Sequence, residues 1–519
     1  MATLTIYPVE NGSLAENSPN TGTAWAAVDD AAGAPDNDTT YLAGGGSSTY
    51  KYNLFPIRKR GMGTVISNVT IYWRARYQTI SSKARTAVNI AGTAYYGSEQ
   101  TVASSYTNYT TSYNASPEAG NPAWTWDKIA AMEFGIGIYN TSVRVTQCYI
   151  VVTYTPGDTT ISTNTTTNAQ YVIDNGSTLT VNATLSRGEY LKTAMVYAPS
   201  GGATITGSGT IRGDRDVDTS EESLILMSGT GNVVKGTSNT SRLTVSENLH
   251  TGIGFLAPKN CYVQWVDVED MYSSATDPVQ KVGVGILFWG YGGLGSSYTG
   301  NYVTYCSVKR SGLHGIQFCD CDGGEISYCE IDGVFANFGL SGFGYGDTPS
   351  GINIHHNTIR NTRAEWLNLQ NMNGTLKIED NTAYSTRADY GYCVYICAAT
   401  NGSIARNVGY YSYSEGITLD ACSGFTVEEN ELYDCARGGD HHAAIKLQGS
   451  DEGDAENNVV QNNVIVDLRH YLLWGIKEVD SGTGVAQNNT IEDNTIYAPS
   501  AVLPVSIIAG NGSTQARNY

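Results

Sequence analysis

Gly416-Ile417-Thr418-Leu419 is one of nine short apolar runs, most of them headed by a small residue, that recur between Thr251 and Ser500. The others are Gly252-Ile253-Gly254-Phe255, Gly283-Val284-Gly285-Ile286, Gly315-Ile316-Gln317-Phe318, Gly342-Phe343-Gly344-Tyr345, Trp366-Leu367-Asn368-Leu369, Cys393-Val394-Tyr395-Ile396, Ala444-Ile445-Lys446-Leu447 and Gly475-Ile476-Lys477-Glu478. Successive runs start 31, 32, 27, 24, 27, 23, 28 and 31 residues apart. This period, with alternating apolar positions and no helical periodicity, predicts a solenoid of stacked β-strand coils.

A second regular feature is an asparagine that precedes an apolar or threonine position between these runs. Its members are Asn357, Asn381, Asn407, Asn430, Asn463 and Asn494. Because stacked coils place equivalent residues in one column, each buried asparagine can hydrogen-bond to the one above and the one below. We therefore predict that Asn381, Asn407 and Asn430 form a buried ladder at one turn of the coil.

These runs and the asparagine column resemble the pectate-lyase-like right-handed parallel β-helix superfamily, from about Gly157 to the C-terminus. The resemblance implies an all-β chain whose residues 156–519 form a right-handed parallel β-helix. It implies no particular activity, because this fold carries many chemistries.

Residues 1–155 lack the repeat and predict a separate antiparallel domain, a β-sandwich or jelly roll. The predicted strands are Val65–Tyr77, Ala87–Tyr96, Met132–Tyr139 and Val143–Tyr154. The string Asn121-Pro-Ala-Trp-Thr-Trp-Asp-Lys-Ile resembles a domain of phage and prophage tail-associated surface proteins. Its tryptophans, with Trp73, could stack on sugars, but core packing is the favoured interpretation.

Composition narrows the function classes. The chain has 36 Tyr against 9 Phe, only 15% charged residues and a net charge of −19. Such a polar, aromatic and acidic surface favours sugars and disfavours nucleic acid. No apolar run approaches membrane-spanning length, so we predict no membrane insertion. The start, Met-Ala-Thr-Leu, has no signal peptide, and we expect a location outside the cell or on a virion surface.

The sequence contains no pattern typical of a cofactor or metal site. Nine of the ten cysteines follow residue 260 and recur with the coils, which predicts thiols that fill core columns. No cysteine pair has the spacing of a metal site. We predict no cofactor; calcium stays an open alternative, although no carboxylate triplet marks a site.

The outward face of the repeated first strand carries the candidate site. The second and fourth residues of each run are expected to point inward, so the third and fifth point out. From Asn368 to Lys477 this face collects amides, a phenol, a carboxylate and two ammonium groups, and the resemblance implies that it is a substrate groove. The candidate substrate-binding residues are Asn368, Gln370, Thr418, Gln448, Lys477, Arg363, His441 and His442.

The candidate catalytic residues are Asp420, Lys446, Tyr395, Glu415 and Glu365. Asp420 and Lys446 lie on adjacent coils, two residues out of register, so we expect their head groups to meet, either as a tuned base or as a surface salt bridge. Glu365 and Glu415 are two coils apart, about 9–10 Å, which is near the upper limit for an inverting acid/base pair.

Three functions stay open at this point. The first is a phage tailspike-type surface protein that binds a polysaccharide and cleaves it by hydrolysis or β-elimination. The second is a secreted polysaccharide lyase or uronan epimerase with an accessory sugar-binding domain. The third is a non-enzymatic virion decoration or adhesion protein. A homotrimer or assembly on a virion is compatible with the first and the third.

Overall fold

The computed structural model describes residues 1–44, 49–63, 65–214, 223–273, 282–290, 298–343, 351–384, 391–438, 442–469, 471–472, 474–498, 506–508 and 512–519. The chain divides into two compact units. The first comprises residues 1–159 and 167–178, and the second comprises residues 160–166 and 179–519. The first unit therefore includes a segment beyond the predicted boundary at residue 155.

The first unit contains two antiparallel sheets and one short helix, Trp126–Ala131. One sheet consists of Ala2–Ile6, Ser18–Pro19, Leu42–Ala43, Val65–Tyr77, Thr107–Tyr113 and Val143–Thr155. The other consists of Lys51–Pro56, Lys83–Ile90, Thr93–Tyr96, Gln100–Thr101 and Met132–Ile138. The short strands Lys59–Arg60 and Gln170–Val172 pair in parallel.

One hydrophobic core joins the two antiparallel sheets, as in a β-sandwich. Ile71 and Ile150 from the first sheet and Phe134 and Val88 from the second belong to it. Trp73, Trp124 and Trp126 are buried in this core, which confirms the packing interpretation for all three.

One predicted strand of the first unit, Ala87–Tyr96, was wrong. The chain instead forms a hairpin of Lys83–Ile90 with Thr93–Tyr96, in which Ile90 pairs with Thr93. The two loop residues, Ala91 and Gly92, both have left-handed φ, 50° and 85°. Two such residues make the turn that suits the twist of a tight hairpin.

The second unit is a parallel β-helix of three long sheets, which confirms the predicted fold class. Sheet I holds Val196–Ala198, Ile225–Thr230, Ile253–Lys259, Val284–Trp289, His314–Cys319, Leu340–Phe343, Leu367–Gln370, Val394–Cys397, Ile417–Asp420, Ala443–Gly449, Trp474–Asp480 and Ser506–Ile508. Sheet II holds Thr159–Ile161, Thr178–Val181, Thr204–Gly207, Val233–Gly236, Tyr262–Gln264, Asn301–Thr304, Gly324–Ser327, Ile352–His355, Asn373–Glu379, Thr400–Ala405, Ser423–Glu428, Ala455–Glu456, Val459–Gln461, Ala486–Gln487, Thr490–Glu492 and Thr514–Ala516. Sheet III holds Thr165–Thr167, Thr184–Arg187, Thr210–Arg212, Leu243–Asn248, Val266–Met271, Ser307–Ser311, Glu330–Val334, Thr358–Arg360, Thr382–Tyr384, Val408–Tyr410, Glu431–Tyr433, Val464–Val466 and Thr495–Tyr497.

The interior of the β-helix is built from columns of like side chains. Phe255, Phe288 and Phe318 stack with ring centroids 4.5 and 4.6 Å apart. In sheet I, Ile417 and Leu419 are buried at the predicted inward positions. Each coil leaves an apolar edge that only the next coil covers, so the core extends along the whole solenoid.

The asparagine ladder is confirmed. Nδ2 of Asn381 donates to Oδ1 of Asn407 at 2.9 Å, and Nδ2 of Asn407 donates to Oδ1 of Asn430 at 3.0 Å. The backbone N–H of each donor asparagine also bonds to the same oxygen, at 3.0 Å. The ladder lies at the turn from sheet II to sheet III. The preceding residues there, such as Asp380 and Arg406, hold left-handed φ of 56° and 55°.

Two of the nine predicted runs were out of register. Ile253 pairs with Ile286, so the small residue equivalent to Gly252 is Gly285 and not Gly283. Likewise Ile316 pairs with Leu340, so the strand after Gly315 begins beside Gly339 and not at Gly342. Both runs contain alternative glycines close together, and glycine spacing alone does not distinguish them.

All ten cysteines are free, and nine of them are buried, as the prediction of thiols filling core columns requires. In the part of the chain that the structure describes, no helix is long and apolar enough to span a bilayer.

Candidate functional site

The outer face of sheet I carries two columns of side chains in register, most of them polar. One column runs Gln317, Ser341, Asn368, Tyr395, Thr418, Lys446 and Lys477. The other runs Cys319, Phe343, Gln370, Cys397, Asp420, Gln448 and Val479. Parallel in-register pairing therefore brings together residues that lie 23 or more positions apart in sequence.

Asp420 is a fixed acceptor in the middle of this face. Its Oδ2 accepts a hydrogen bond of 2.9 Å from the Tyr395 hydroxyl and one of 3.2 Å from Nε2 of Gln448. The two donors come from the preceding and the following coil. Oδ1 of Asp420 is buried and has no partner among the described residues.

Glu415 precedes the strand of Asp420 and is held by two basic groups. Its Oε1 lies 3.4 Å from Nζ of Lys446, and its Oε2 lies 3.2 Å from Nδ1 of His442. Burial acts to raise the pKa of Glu415, but the contact with His442 and the charge of Lys446 outweigh it, so the pKa is lowered. Glu415 is therefore ionised at neutral pH although it is only 1% exposed.

Glu365 occupies the equivalent position two coils earlier. Unlike Glu415, it has no basic partner among the described residues. It is 8% exposed, and its Oε2 has no partner among the described residues. Burial raises its pKa to about 7, with a small opposing effect from a backbone hydrogen bond. Near neutral pH a large fraction of Glu365 is therefore protonated and can donate its proton.

Tyr392 lies between these two carboxyl groups and was not among the predicted residues. The pairing of Leu367 with Val394 and of Val394 with Ile417 places Tyr392 in register between Glu365 and Glu415. Burial raises the pKa of its phenol, and the negative charges of three neighbours add to the shift. These neighbours are Glu415, Glu365 and Asp420. The sequence could have shown this position, because Glu365, Tyr392 and Glu415 each directly precede one of the repeated apolar runs.

Lys477 and Trp474 form the end of the face beyond Lys446. Nζ of Lys477 lies 3.9 Å from the centroid of the Trp474 ring. Lys477 makes no ion pair with a described carboxylate. Burial lowers its pKa, and the neighbouring charge of Lys446 adds to this effect. Trp474, also missed in the sequence, precedes Gly475 as Glu415 precedes Gly416.

The remaining predicted residues occupy less distinctive places. Nε2 of Gln370 donates to Oδ1 of Asn368 at 2.9 Å. Thr418 is buried, and its hydroxyl has no partner among the described residues. Arg363 is half-buried next to the strand of Asn368. His441 lies outside the described residues.

Two expectations for this face are corrected. Lys446 pairs with Glu415, and no ion pair within the described part of the chain joins Lys446 to Asp420. The reason is that Glu415 turns onto the outer face at the corner before the strand, where strand alternation no longer applies. The face is also less open than expected, because Asn368, Thr418 and Asp420 are all buried by neighbouring side chains.

The described residues contain no group of three or more His, Cys, Asp or Glu side chains arranged to hold a metal ion. The side chains of the face include a carboxyl group with a raised pKa, an ionised carboxylate, an imidazole, phenols and ammonium groups.

No protein-family profile and no curated protein sequence matches the chain. Among solved structures, it is similar to the catalytic unit of a thermostable GH87 alpha-1,3-glucanase from Streptomyces thermodiastaticus, with 10% identity and a TM-score of 0.37 over 99% of this chain and 96% of that one. It is also similar to a mutant periplasmic alginate epimerase, with 9% identity and a TM-score of 0.42 over 71% and 85% of the two chains. A mutant tailspike protein of E. coli bacteriophage HK620 in complex with a pentasaccharide is similar at 11% identity and a TM-score of 0.41, over 66% and 60%. At this level of similarity, function has to be inferred from the chain's own residues.

Proposed function

We propose that this chain binds a polysaccharide along the outer face of sheet I and hydrolyses it, with Glu365 as the general acid. The observation that carries the proposal is the opposite shift of two carboxyl groups in one column. The pKa of Glu365 is raised to about 7, and that of Glu415 is lowered. A pair of carboxyl groups whose pKa values are driven apart is the usual arrangement of an acid and a base in glycoside hydrolysis.

The backbone spacing of the pair is too wide for a retaining enzyme and nearer to that of an inverting one. Two coil spacings of about 4.8 Å separate the backbones of Glu365 and Glu415 by roughly 9–10 Å. Retaining enzymes bring the two carboxyl groups to about 5–5.5 Å, whereas inverting enzymes leave room for a water at about 6.5–9.5 Å.

The basic member of the pair reaches the attacking water through His442. Nδ1 of His442 faces Glu415 at 3.2 Å, which leaves Nε2 to accept a proton from water. The negative charge of the nearby Glu415 stabilises the imidazolium that forms. Oε1 of Glu415 pairs with Lys446. Because His442 is the group that meets the water, Glu415 itself does not have to be exposed.

The rest of the face suits the binding of sugar hydroxyls. The half-buried amides of Gln370 and Gln448 can meet sugar hydroxyls, and each is oriented by a hydrogen bond from its Nε2 to a buried neighbour, Asn368 or Asp420. The Trp474 ring supplies an apolar surface at the far end. These groups span the coils from Asn368 to Trp474, which fits a chain of several sugars better than a single one.

A reducing-end assay over alginate, polygalacturonate, hyaluronan, dextran, laminarin and galactomannan tests the proposal. We expect new reducing ends with at least one of them and none with Glu365→Gln. Proton NMR of the first product should show the anomer opposite to that of the substrate. Absence of cleavage by wild-type protein on all six polymers would count against the proposal.

One observation favours β-elimination as a second candidate. Lys477 lies beside Lys446 without an ion pair to a described carboxylate, and its lowered pKa makes the neutral amine more accessible than in a solvent-exposed lysine. Tyr395 is a poorer base, because its hydroxyl already donates to Asp420 and its pKa is raised. Elimination would give unsaturated products that absorb ultraviolet light, whereas hydrolysis would not.

The biological setting is part of the proposal. A tailspike-type protein on a virion surface, with or without homotrimer formation, would use this face to attack a surface polysaccharide. A secreted enzyme would use the same chemistry. Detection of the chain in purified virions by mass spectrometry would favour the first setting, and its absence there would favour the second.

A further inference from the structure

A groove with a cavity volume of about 570 Å³ runs along the outer face of sheet III. Its floor includes Asp267, Ser307, Glu330 and Thr358, which are successive partners across the sheet. Arg242 extends it by one more coil. Four coil spacings of about 4.8 Å give it a length of roughly 19 Å parallel to the solenoid axis. A groove of this shape fits an extended chain.

Aromatic rings line the groove at the turn from sheet II to sheet III. Tyr305 and Tyr328 stack with centroids 4.8 Å apart and planes 6° apart, and His356 stacks on Tyr328 at 4.8 Å and 22°. Tyr305 is 38% exposed and Tyr328 is 44% exposed. Tyr305 begins the stack. Trp265 occupies the equivalent position of the preceding coil, and no stacking between these two rings is seen among the described residues.

The polar groups of the groove are acceptors and donors at fixed positions. Asp267 is held by Arg242 at 2.8 Å, and Glu330 is paired with Arg360. Carboxylates paired in this way can still accept hydrogen bonds from hydroxyl groups. Lys309, also in the groove, makes no ion pair with a described carboxylate and can donate.

We propose that this groove is a second, non-catalytic binding site for the polysaccharide chain that sheet I cleaves. The inference rests on the proposed function for the identity of the polymer. Partly exposed aromatic rings beside paired carboxylates and hydroxyls suit the apolar surface and the hydroxyl groups of a sugar. A nucleic-acid strand fits poorly, because it requires a predominantly positive groove and the chain carries a net charge of −19.

This groove and the outer face of sheet I belong to different sheets of one solenoid. A polymer held on sheet III keeps further segments of the same chain at a high local concentration near sheet I. Binding there should therefore raise the apparent affinity for long chains without changing turnover of short oligosaccharides.

Affinity electrophoresis in native gels tests this inference with the same six polysaccharides, from alginate to galactomannan, cast into the gel. We expect at least one to retard the wild-type protein. Tyr305→Ala combined with Tyr328→Ala should weaken that retardation by about tenfold in apparent Kd. The matched control is Tyr384→Ala with Tyr410→Ala, a stacked tyrosine pair that lies on sheet III outside the groove. It should be retarded like the wild type.

The outcomes separate this inference from the proposed function. Glu365→Gln should be retarded normally while it loses cleavage. Normal retardation of the Tyr305/Tyr328 variant, or no retardation of wild-type protein by any of the six polymers, would overturn the inference. Loss of retardation in that variant with no cleavage by the wild type would count against the proposed function alone. If the alanine variant melts early, Tyr305→Leu tests the ring without emptying the position.

Discussion

The phenol of Tyr395 donates a hydrogen bond of 2.9 Å to Oδ2 of Asp420 on the next coil. Gln448 donates to the same oxygen from the coil beyond. Asp420 is therefore clamped by two neutral donors rather than paired with a cation. This arrangement fits the role in binding that the proposed function gives Asp420 better than a role in proton transfer.

Tyr395→Phe removes one donor from a buried charge. We expect the free energy of unfolding to fall by about 1.5–3 kcal/mol, the usual contribution of a hydrogen bond to a charged group. Urea denaturation measures it. Tyr410→Phe, a change on a stacked tyrosine of sheet III, is the control and should cost less. In a double-mutant cycle with Asp420→Asn, purely additive effects would contradict the assigned contact.

Glu365→Gln tests the proposed acid. Loss of a general acid should lower kcat by about 10²–10⁴-fold. Because the pKa of Glu365 is raised to about 7, wild-type kcat/KM should fall as pH rises above about 7, where the acid loses its proton. The residual activity of the variant should lack this decline. A wild-type profile that stays flat from pH 6 to 9 would rule out Glu365 as the acid.

The same carboxyl group should couple stability to pH. Its folded-state pKa, about 7, lies above the usual 4.5, so the folded state binds the proton more tightly. Stability should therefore decrease as pH rises from about 4.5 to 7, by up to roughly 3 kcal/mol. Glu365→Gln should remove this part of the dependence.

Glu415 has a lowered pKa, so its stabilising contribution is present above its unfolded-state pKa and is lost as pH falls. Glu415→Gln should therefore differ most from the wild type at neutral pH.

Lys446→Met and Lys477→Met should behave differently. Lys446 neutralises the buried Glu415, so its removal should destabilise the fold by about 3–5 kcal/mol. Lys477 makes no ion pair with a described carboxylate, so its removal loses only the contact with the Trp474 ring, about 0.5–1 kcal/mol, and should lower the melting temperature much less. Thermal denaturation compares the two. If elimination is the reaction, Lys477→Met should abolish it in a folded protein, whereas equal destabilisation by both changes would contradict the assigned pairing.

Asn407→Ala breaks the ladder at its centre. It leaves the backbone N–H and Nδ2 of Asn381 without their acceptor, so we expect a loss of about 1–3 kcal/mol or more. The denaturation midpoint in urea measures the loss. Asn182→Ala, at an exposed asparagine of the same solenoid, is the matched control and should be nearly neutral. Equal midpoints for the two variants would contradict the register of the ladder.

The sequence by itself determined the features that repeat with the coil. Apolar positions, the asparagine column and the outward columns on sheet I all follow from in-register stacking, since each coil needs the same residue type at the same place. The asparagine ladder and the inward Ile417 and Leu419 were predictable for this reason. The prediction erred at Gly283 and Gly342, where nearby glycines offered two equally good registers.

Only the tertiary structure decided which charged groups meet and in which direction their pKa values shift. Glu415 reaches Lys446 and His442 at a corner, where the alternation of a strand gives no information about side-chain direction. Glu365 has a pKa of about 7 because side chains from other coils exclude water around it, and burial of that kind is the sum of contacts distant in sequence. The fold is encoded in a local period, whereas the chemistry depends on non-periodic residues that the fold brings together.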